Sequence, residues 1–275
     1  MLNIFAADIY RIIRGKALYI TLAVLLATNL LMVISLHALQ SGMEPVGIMI
    51  GAPEDAQEIF EAAMTEMPAM NGINVTGLLT QSMENFVFFL LPIIVVVAGT
   101  IFTHGTVKND ISFGVSRTKL YMSKLLLSIG FGGLFLTYYM VTGGLIATII
   151  GGFGGPAPAG HWSNLIQVLG AQSVLLMAMI CIGIFLAFTT KRTAAVNAAF
   201  IAFIFVPLMI INLLSMANPA LERLSDFDIT TNIIRLANLR YMETGEIATA
   251  LGLGAFWILA TTFGGIALFN RAEIK

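Results

Sequence analysis

Residues Ile101–Leu126 read IFTHGTVKNDISFGVSRTKLYMSKLL, a short polar stretch set between two runs of nearly pure hydrocarbon character. Residues 86–102 carry no charge, and residues 125–150 carry none either. A bilayer interior has no water to solvate Lys108, Asp110, Arg117, Lys119 and Lys124, so a segment holding them between two such runs belongs at a membrane face. Its four Lys/Arg predict that this face is cytoplasmic. Val107, Ile111 and Val115 recur at every fourth position while Lys108, Asn109, Ser112 and Ser116 point elsewhere. That spacing predicts a brief amphipathic helix over 105–118, against the plainer alternative of a solvated loop. Gly105 and Thr106 supply a flexible joint and a hydroxyl suited to capping it.

The rest of the chain has the same two-phase character. Its 275 residues are 58% hydrophobic and 11% charged, with a mean hydropathy of +0.91; a soluble globule has about a quarter of its residues charged. The expectation is an all-α integral membrane protein with six spans, at 17–39, 85–103, 121–150, 163–190, 194–216 and 246–269. Each is long enough, at about 1.5 Å per residue, to cross roughly 30 Å of hydrocarbon. Before them, Leu2, Phe5, Ile9, Ile12 and Ile13 share one helical face and Asn3, Arg11 and Arg14 the other, which predicts an interfacial helix over 2–15. Segments 41–81 and 218–245 are too polar to cross and are predicted to be external. Within the first, the pattern over 54–67 predicts an amphipathic helix; within the second, 229–239 reads as a re-entrant or surface helix. Pro92 predicts a kink in the second span or its outer end, and Gly130, Gly132, Gly133, Gly143 and Gly144 predict close packing along the third.

Charge asymmetry fixes the expected topology. With both termini cytoplasmic, 11 of the 14 Lys/Arg fall inside and 12 of the 15 acids outside. The net charge of −1 gives no reason to expect nucleic acid as a partner, and a lone Cys181 excludes an intramolecular disulfide. The acids between Glu44 and Glu84 can be read as an anionic collar for cationic peptides or simply as a solvated loop. No segment outside the spans is long enough for a separate soluble domain.

Several chemistries lack their residues. No Gly-x-x-x-x-Gly-Lys-Ser/Thr phosphate cradle occurs, so any ATP must be bound by another polypeptide. No span has an ionisable side chain in its middle third, which argues against an ion-coupled carrier. His37, His104 and His161 sit at span ends, without the His-Glu-x-x-His or paired Asp of an intramembrane protease. Asn29, Asn197 and Asn212 are polar residues at membrane depth, suited either to lining a path or to interhelical hydrogen bonds; Gln167 and Gln172 read as interhelical glue.

The Gly-Thr-Val-Lys-Asn run, the Val-Ser-Arg that follows and the Lys opening the next span resemble the coupling-helix region of type-2 ATP-binding-cassette (ABC-2-type) permeases, particularly small Gram-positive peptide-export and immunity members. Gly105, Thr106, Lys108, Asn109, Ser116, Arg117 and Lys124 carry the likeness, and the span order extends it over nearly the whole chain. Thr103 and His104 depart from the family, many of whose members have a carboxylate there. The resemblance implies a bacterial plasma-membrane permease that is not itself an enzyme, working as a homo- or heterodimer with separate ATPase subunits that bind ATP and Mg. It further implies that Gly105, Thr106, Val107, Lys108, Asn109, Ser116 and Arg117 form the ATPase-docking element, and that Asn29, Asn197 and Asn212 lie on spans lining the path. The expected cargo is an amphipathic or hydrophobic molecule, a toxic or antimicrobial peptide first and small hydrophobic drugs or lipids second, with ion-coupled transport as the rival class.

Overall fold

In the computed structural model, residues 2–41, 69–103 and 105–272 are described, apart from the side chains of 2–4, 103, 106, 219, 220 and 222. The expected helix over 54–67, most of the acidic stretch and His104 lie outside the described residues.

The described chain is helical and contains six helices long and apolar enough to cross a membrane, Lys16–Gln40, Met83–Phe102, Arg117–Gly151, His161–Thr190, Thr193–Ala217 and Thr244–Arg271. These spans outrun the hydrophobic stretches at several ends, because a helix continues where its terminal residues are polar but still hydrogen-bonded. The third is the extreme case: its 35 residues extend about 52 Å, well beyond a hydrocarbon layer of about 30 Å. Its far turns are covered by a helix that hydropathy did not reveal, Gly72–Gln81, which packs on them with Ile73, Val75 and Leu79 buried. Asn71 starts that helix, its side chain accepting the Asn74 backbone N–H at 2.9 Å.

The third span's glycines divide by environment. A Cβ on Gly132 would stand 2.6 Å from Ile180, and one on Gly143 2.5 Å from Leu79, whereas Gly130 and Gly133 meet nothing within 4 Å. Only part of the glycine run therefore serves close packing. The fourth span, the most buried, makes its largest contact with the sixth, where Gly254 admits Leu175 and Val174. Pro92 lies inside the second span and is followed by a π turn at Val95–Gly99, so the helix passes through proline with a widened turn.

Contacts between helix ends sort the bundle into two poles. At one pole, Phe102, Phe188 and Phe269 of the second, fourth and sixth spans stack edge to face, with centroids 5.2 Å apart for Phe102–Phe188 and 4.8 Å for Phe188–Phe269. Helix Leu2–Arg14 packs there against the first, second and third spans. Its face toward the bundle is Phe5, Asp8 and Ile12, while Ile9 and Ile13 point outward. The expected single apolar face is thus split between protein and surroundings.

At the other pole, Gln172 is fully buried and donates to Thr80 O and Ile233 O, each at 2.8 Å, tying helix Gly72–Gln81 and the 219–241 region to the fourth span. That region runs as a 3-10 helix, Pro219–Phe227, an α-helix, Ile229–Arg235, and a second 3-10 helix, Leu236–Tyr241. Ile229, Ile233 and Leu236 are buried, so this stretch is tucked into the bundle end.

Candidate functional site at the basic pole

Residues 105–117 form a compact device at the first pole. Gly105 and Gly114 take left-handed φ values of +66° and +84°, a conformation that costs a side-chain-bearing residue, and they fence a seven-residue helix, Thr106–Ser112. The cap position falls on Gly105, which has no side chain to cap with, and the Thr106 hydroxyl lies outside the described side chains. Val107 is 2% exposed and seats the helix on the core, with Ile111 and Val115 packed beside it. Lys108, Asn109 and Ser112 face outward, and Phe113 is 87% exposed, a large ring left in the open just beyond the helix.

The residues after this helix hold it in place. Ser116 caps the third span, its Oγ accepting the Lys119 N–H at 3.3 Å. Arg117 Nη1 donates to the carbonyls of Phe269, Asn270 and Ala272 at 3.0, 2.8 and 2.7 Å, closing the C-terminal end of the sixth span where carbonyls have no helical partner. Its guanidinium also lies 5.9 Å from the centre of the Phe269 ring.

Beneath the helix is a buried charge cluster. Lys124, 1% exposed, donates from Nζ to Asp8 Oδ2 at 2.5 Å, and Arg11 approaches Asp8 Oδ1 at 3.4 Å. Asp110, in the 106–112 helix, faces the same cluster. Partial burial raises its carboxyl above the ordinary value of 3.8; Lys124 works against this, Asp8 adds to it and Arg11 opposes it. Lys124, expected at the membrane face, is instead a core residue, and sequence reasoning missed its partner. The signal was present: Asp8 stands three residues after Phe5 and four before Ile12, on the helix's inward face.

The three asparagines do not share an environment. Asn29 is fully buried, its Nδ2 donating to Tyr139 O at 2.9 Å and to Thr142 Oγ1 at 2.8 Å, which joins the first span to the third. Asn197 and Asn212 are exposed on the fifth. Among the described residues no three His, Cys, Asp or Glu side chains converge to hold a metal ion.

Fold and site define a multi-pass helical membrane protein with a small, rigidly seated surface helix at one pole. No family model, curated protein or solved structure matches the chain.

Proposed function

We propose that the chain is the permease subunit of an ATP-driven exporter of the ABC-2 type in a bacterial plasma membrane, with helix Thr106–Ser112 as the element a separate ATPase subunit grips. The observation that carries this reading is the glycine-fenced helix, anchored inward by Val107 and offering Lys108, Asn109, Ser112 and the open Phe113 ring outward. An exposed aromatic beside a small polar surface is the composition of an interface anchor. ATP and Mg belong to the partner ATPase, because this chain has no phosphate cradle.

The termini and helix 2–14 lie on the cytoplasmic side in this reading, helix 2–14 with Ile9 and Ile13 against lipid. The permease acts as a homo- or heterodimer, and closure of the ATPases moves the spans as rigid bodies around a path between subunits. Its cargo is amphipathic or hydrophobic, a toxic or antimicrobial peptide ahead of drugs or lipids. The exposed Asn197 and Asn212 remain candidates for the path; Asn29, whose Nδ2 is spent on the third span while its buried Oδ1 has no partner among the described residues, serves there as a tie between helices.

An ABC ATPase gene adjacent to the gene for this chain is the expected partner, and co-purification of the two products is the test. Phe113→Ala combined with Lys108→Glu, both at exposed positions, should abolish association while the permease stays folded and monodisperse. Cysteine placed at Phe113 should react only with reagents that reach the cytoplasm. Transport by the chain with no ATPase present, or labelling of that cysteine from outside, would overturn the reading.

A further inference from the structure

The outward side of helix Leu2–Arg14 is covered by nothing in the bundle. With Phe5, Asp8 and Ile12 turned inward, a helical period of about 100° per residue puts Ile9 and Ile13 about a quarter-turn to one side. Tyr10 and Arg14 follow about a quarter-turn further round, and Arg11 lies on the far side from Ile9; all five are exposed. Gly15 alone separates this helix from Lys16–Gln40, the first span, so the helix stands at a membrane boundary. Lys16, Tyr19 and Ile20, which share one face of that span's opening turns, are exposed too. The joint surface thus grades from Ile9, Ile13 and Ile20 through Tyr10 and Tyr19 to three cations, the order in which a bilayer passes from acyl chain to head group.

The charge on this surface has one sign. Asp8, the helix's one acid, is buried and taken up by Lys124, and Asp110 faces the same cluster. Among the described residues the other carboxylates stand toward the opposite pole. Neither Arg14 nor Lys16 has a carboxylate within ion-pair distance among the described residues. The Arg14 guanidinium lies 4.7 Å from the centre of the Tyr10 ring, which steadies the fork without neutralising it. Arg11 meets Asp8 only through Nη2, at 3.4 Å, so most of its donors are unspent. Cations with free N–H groups and no anion of their own call for a partner with negative charge and several acceptor oxygens, and a guanidinium fork matches a phosphate in particular.

We propose that this face selects anionic phospholipids, Arg14 and Lys16 holding the head-group phosphate, Arg11 adding to the field, and Ile9 and Ile13 lying among the acyl chains. A zwitterionic lipid carries its own cation beside the phosphate and gains less from the same contacts. The inference uses the membrane-boundary position of helix 2–14 and not the ATPase, so loss of lipid selection would leave co-purification with the ATPase untouched, and the reverse. The test places a bimane-labelled cysteine at Ile13 of the full chain in phosphatidylcholine nanodiscs; the one native thiol, Cys181, is fully buried and does not compete. Phosphatidylglycerol or phosphatidylcholine, each with the same nitroxide on its acyl chain near the glycerol, serves as quencher. The anionic lipid should quench preferentially, about fivefold for each cation a head group engages, and molar salt should remove the preference. Arg14→Gln/Lys16→Gln, at two exposed positions, should bring it close to one with the melting temperature unchanged. The same probe at Phe153, exposed beside helix Gly72–Gln81 at the opposite pole, should be quenched alike by both lipids. Equal quenching at residue 13, a preference that survives the double substitution, or a residue 13 shielded from both lipids, as a protein partner or a second copy would shield it, overturns the proposal.

Discussion

Removing either partner of the Asp8–Lys124 pair should damage the protein unequally. With Lys124→Met, Asp8 keeps a cationic neighbour in Arg11 at 3.4 Å, whose side chain is 40% exposed and can adjust. With Asp8→Asn, the Lys124 ammonium, on a side chain only 2% exposed, loses its direct counter-ion and is left with Asp110 as the carboxylate facing it. Breaking a buried pair to leave an uncompensated charge costs about 3–5 kcal/mol, so Asp8→Asn should fall in that range. Lys124→Met should cost less, about 1–3 kcal/mol, as a rescued polar group does. The double variant Asp8→Leu/Lys124→Met removes both charges and should lie within about 2 kcal/mol of the parent, far from the sum of the singles. Unfolding free energies in mixed micelles titrated with SDS measure all three. Hydrogen exchange adds a location: Asp8→Asn should open residues 2–14 while the spans stay protected. A double variant as damaged as the summed singles, or Lys124→Met costing more than Asp8→Asn, would refute the reasoning.

Three further outcomes follow from single contacts. Gly151→Ala would put a Cβ 1.7 Å from the Met70 carbonyl oxygen, which is backbone and cannot swing aside, so it should destabilise by several kcal/mol, roughly the scale of severe overpacking; Gly130→Ala, with nothing within 4 Å, should be neutral or slightly stabilising in the same thermal scan. Arg117→Ala strips a donor from three carbonyls at the end of the sixth span and should cost about 1–3 kcal/mol, with faster exchange confined to that end. Asp110 has its carboxyl raised on folding, so the stability it contributes is present below the ordinary value of 3.8 and lost as pH rises through the raised one. The melting temperature of Asp110→Asn relative to the parent should therefore climb across that window and level off above it; a flat difference would contradict the assignment.

The spans were legible because an uninterrupted apolar run of such length has few structural alternatives. Their ends were not: Lys16, Arg117, Thr244 and Arg271 are helical although polar, since helix termination is set by caps and turns, not by hydropathy. Helix Gly72–Gln81 escaped notice because it is held by the third span, through Leu79 against Gly143 and a Gly72 so close to Thr148 that a Cβ would clash. Such tertiary support leaves little trace in local composition. At the basic pole the spacing of Val107, Ile111 and Val115 was readable. That Asp8 shares the inward face of helix 2–14 was readable too, but that it meets Lys124, 116 positions away, was not, because pairing of distant residues has no local signature.

The residues that carry the resemblance to coupling helices divide into two groups with separable consequences. Arg117 and Lys124, with Val107 of the same run, are engaged inward, as brace, buried ion pair and core, while Ser116, itself exposed, caps the third span. Lys108 and Asn109 face outward, joined by Ser112 and Phe113, and are free to meet a partner. Gly105 and Gly114 set the boundary between the groups, since their left-handed turns aim one face of a short helix at the bundle and the other away from it. In the proposed assembly the outward group should lose ATPase association when altered without any change in the permease's own melting temperature. The inward group should lower that temperature and lose association only as a consequence, so that a stabilising second-site change restores it. If inward substitutions abolish association at unchanged stability, or Lys108 and Phe113 variants melt early, the division between seat and surface is wrong and the helix does not act as a rigid handle.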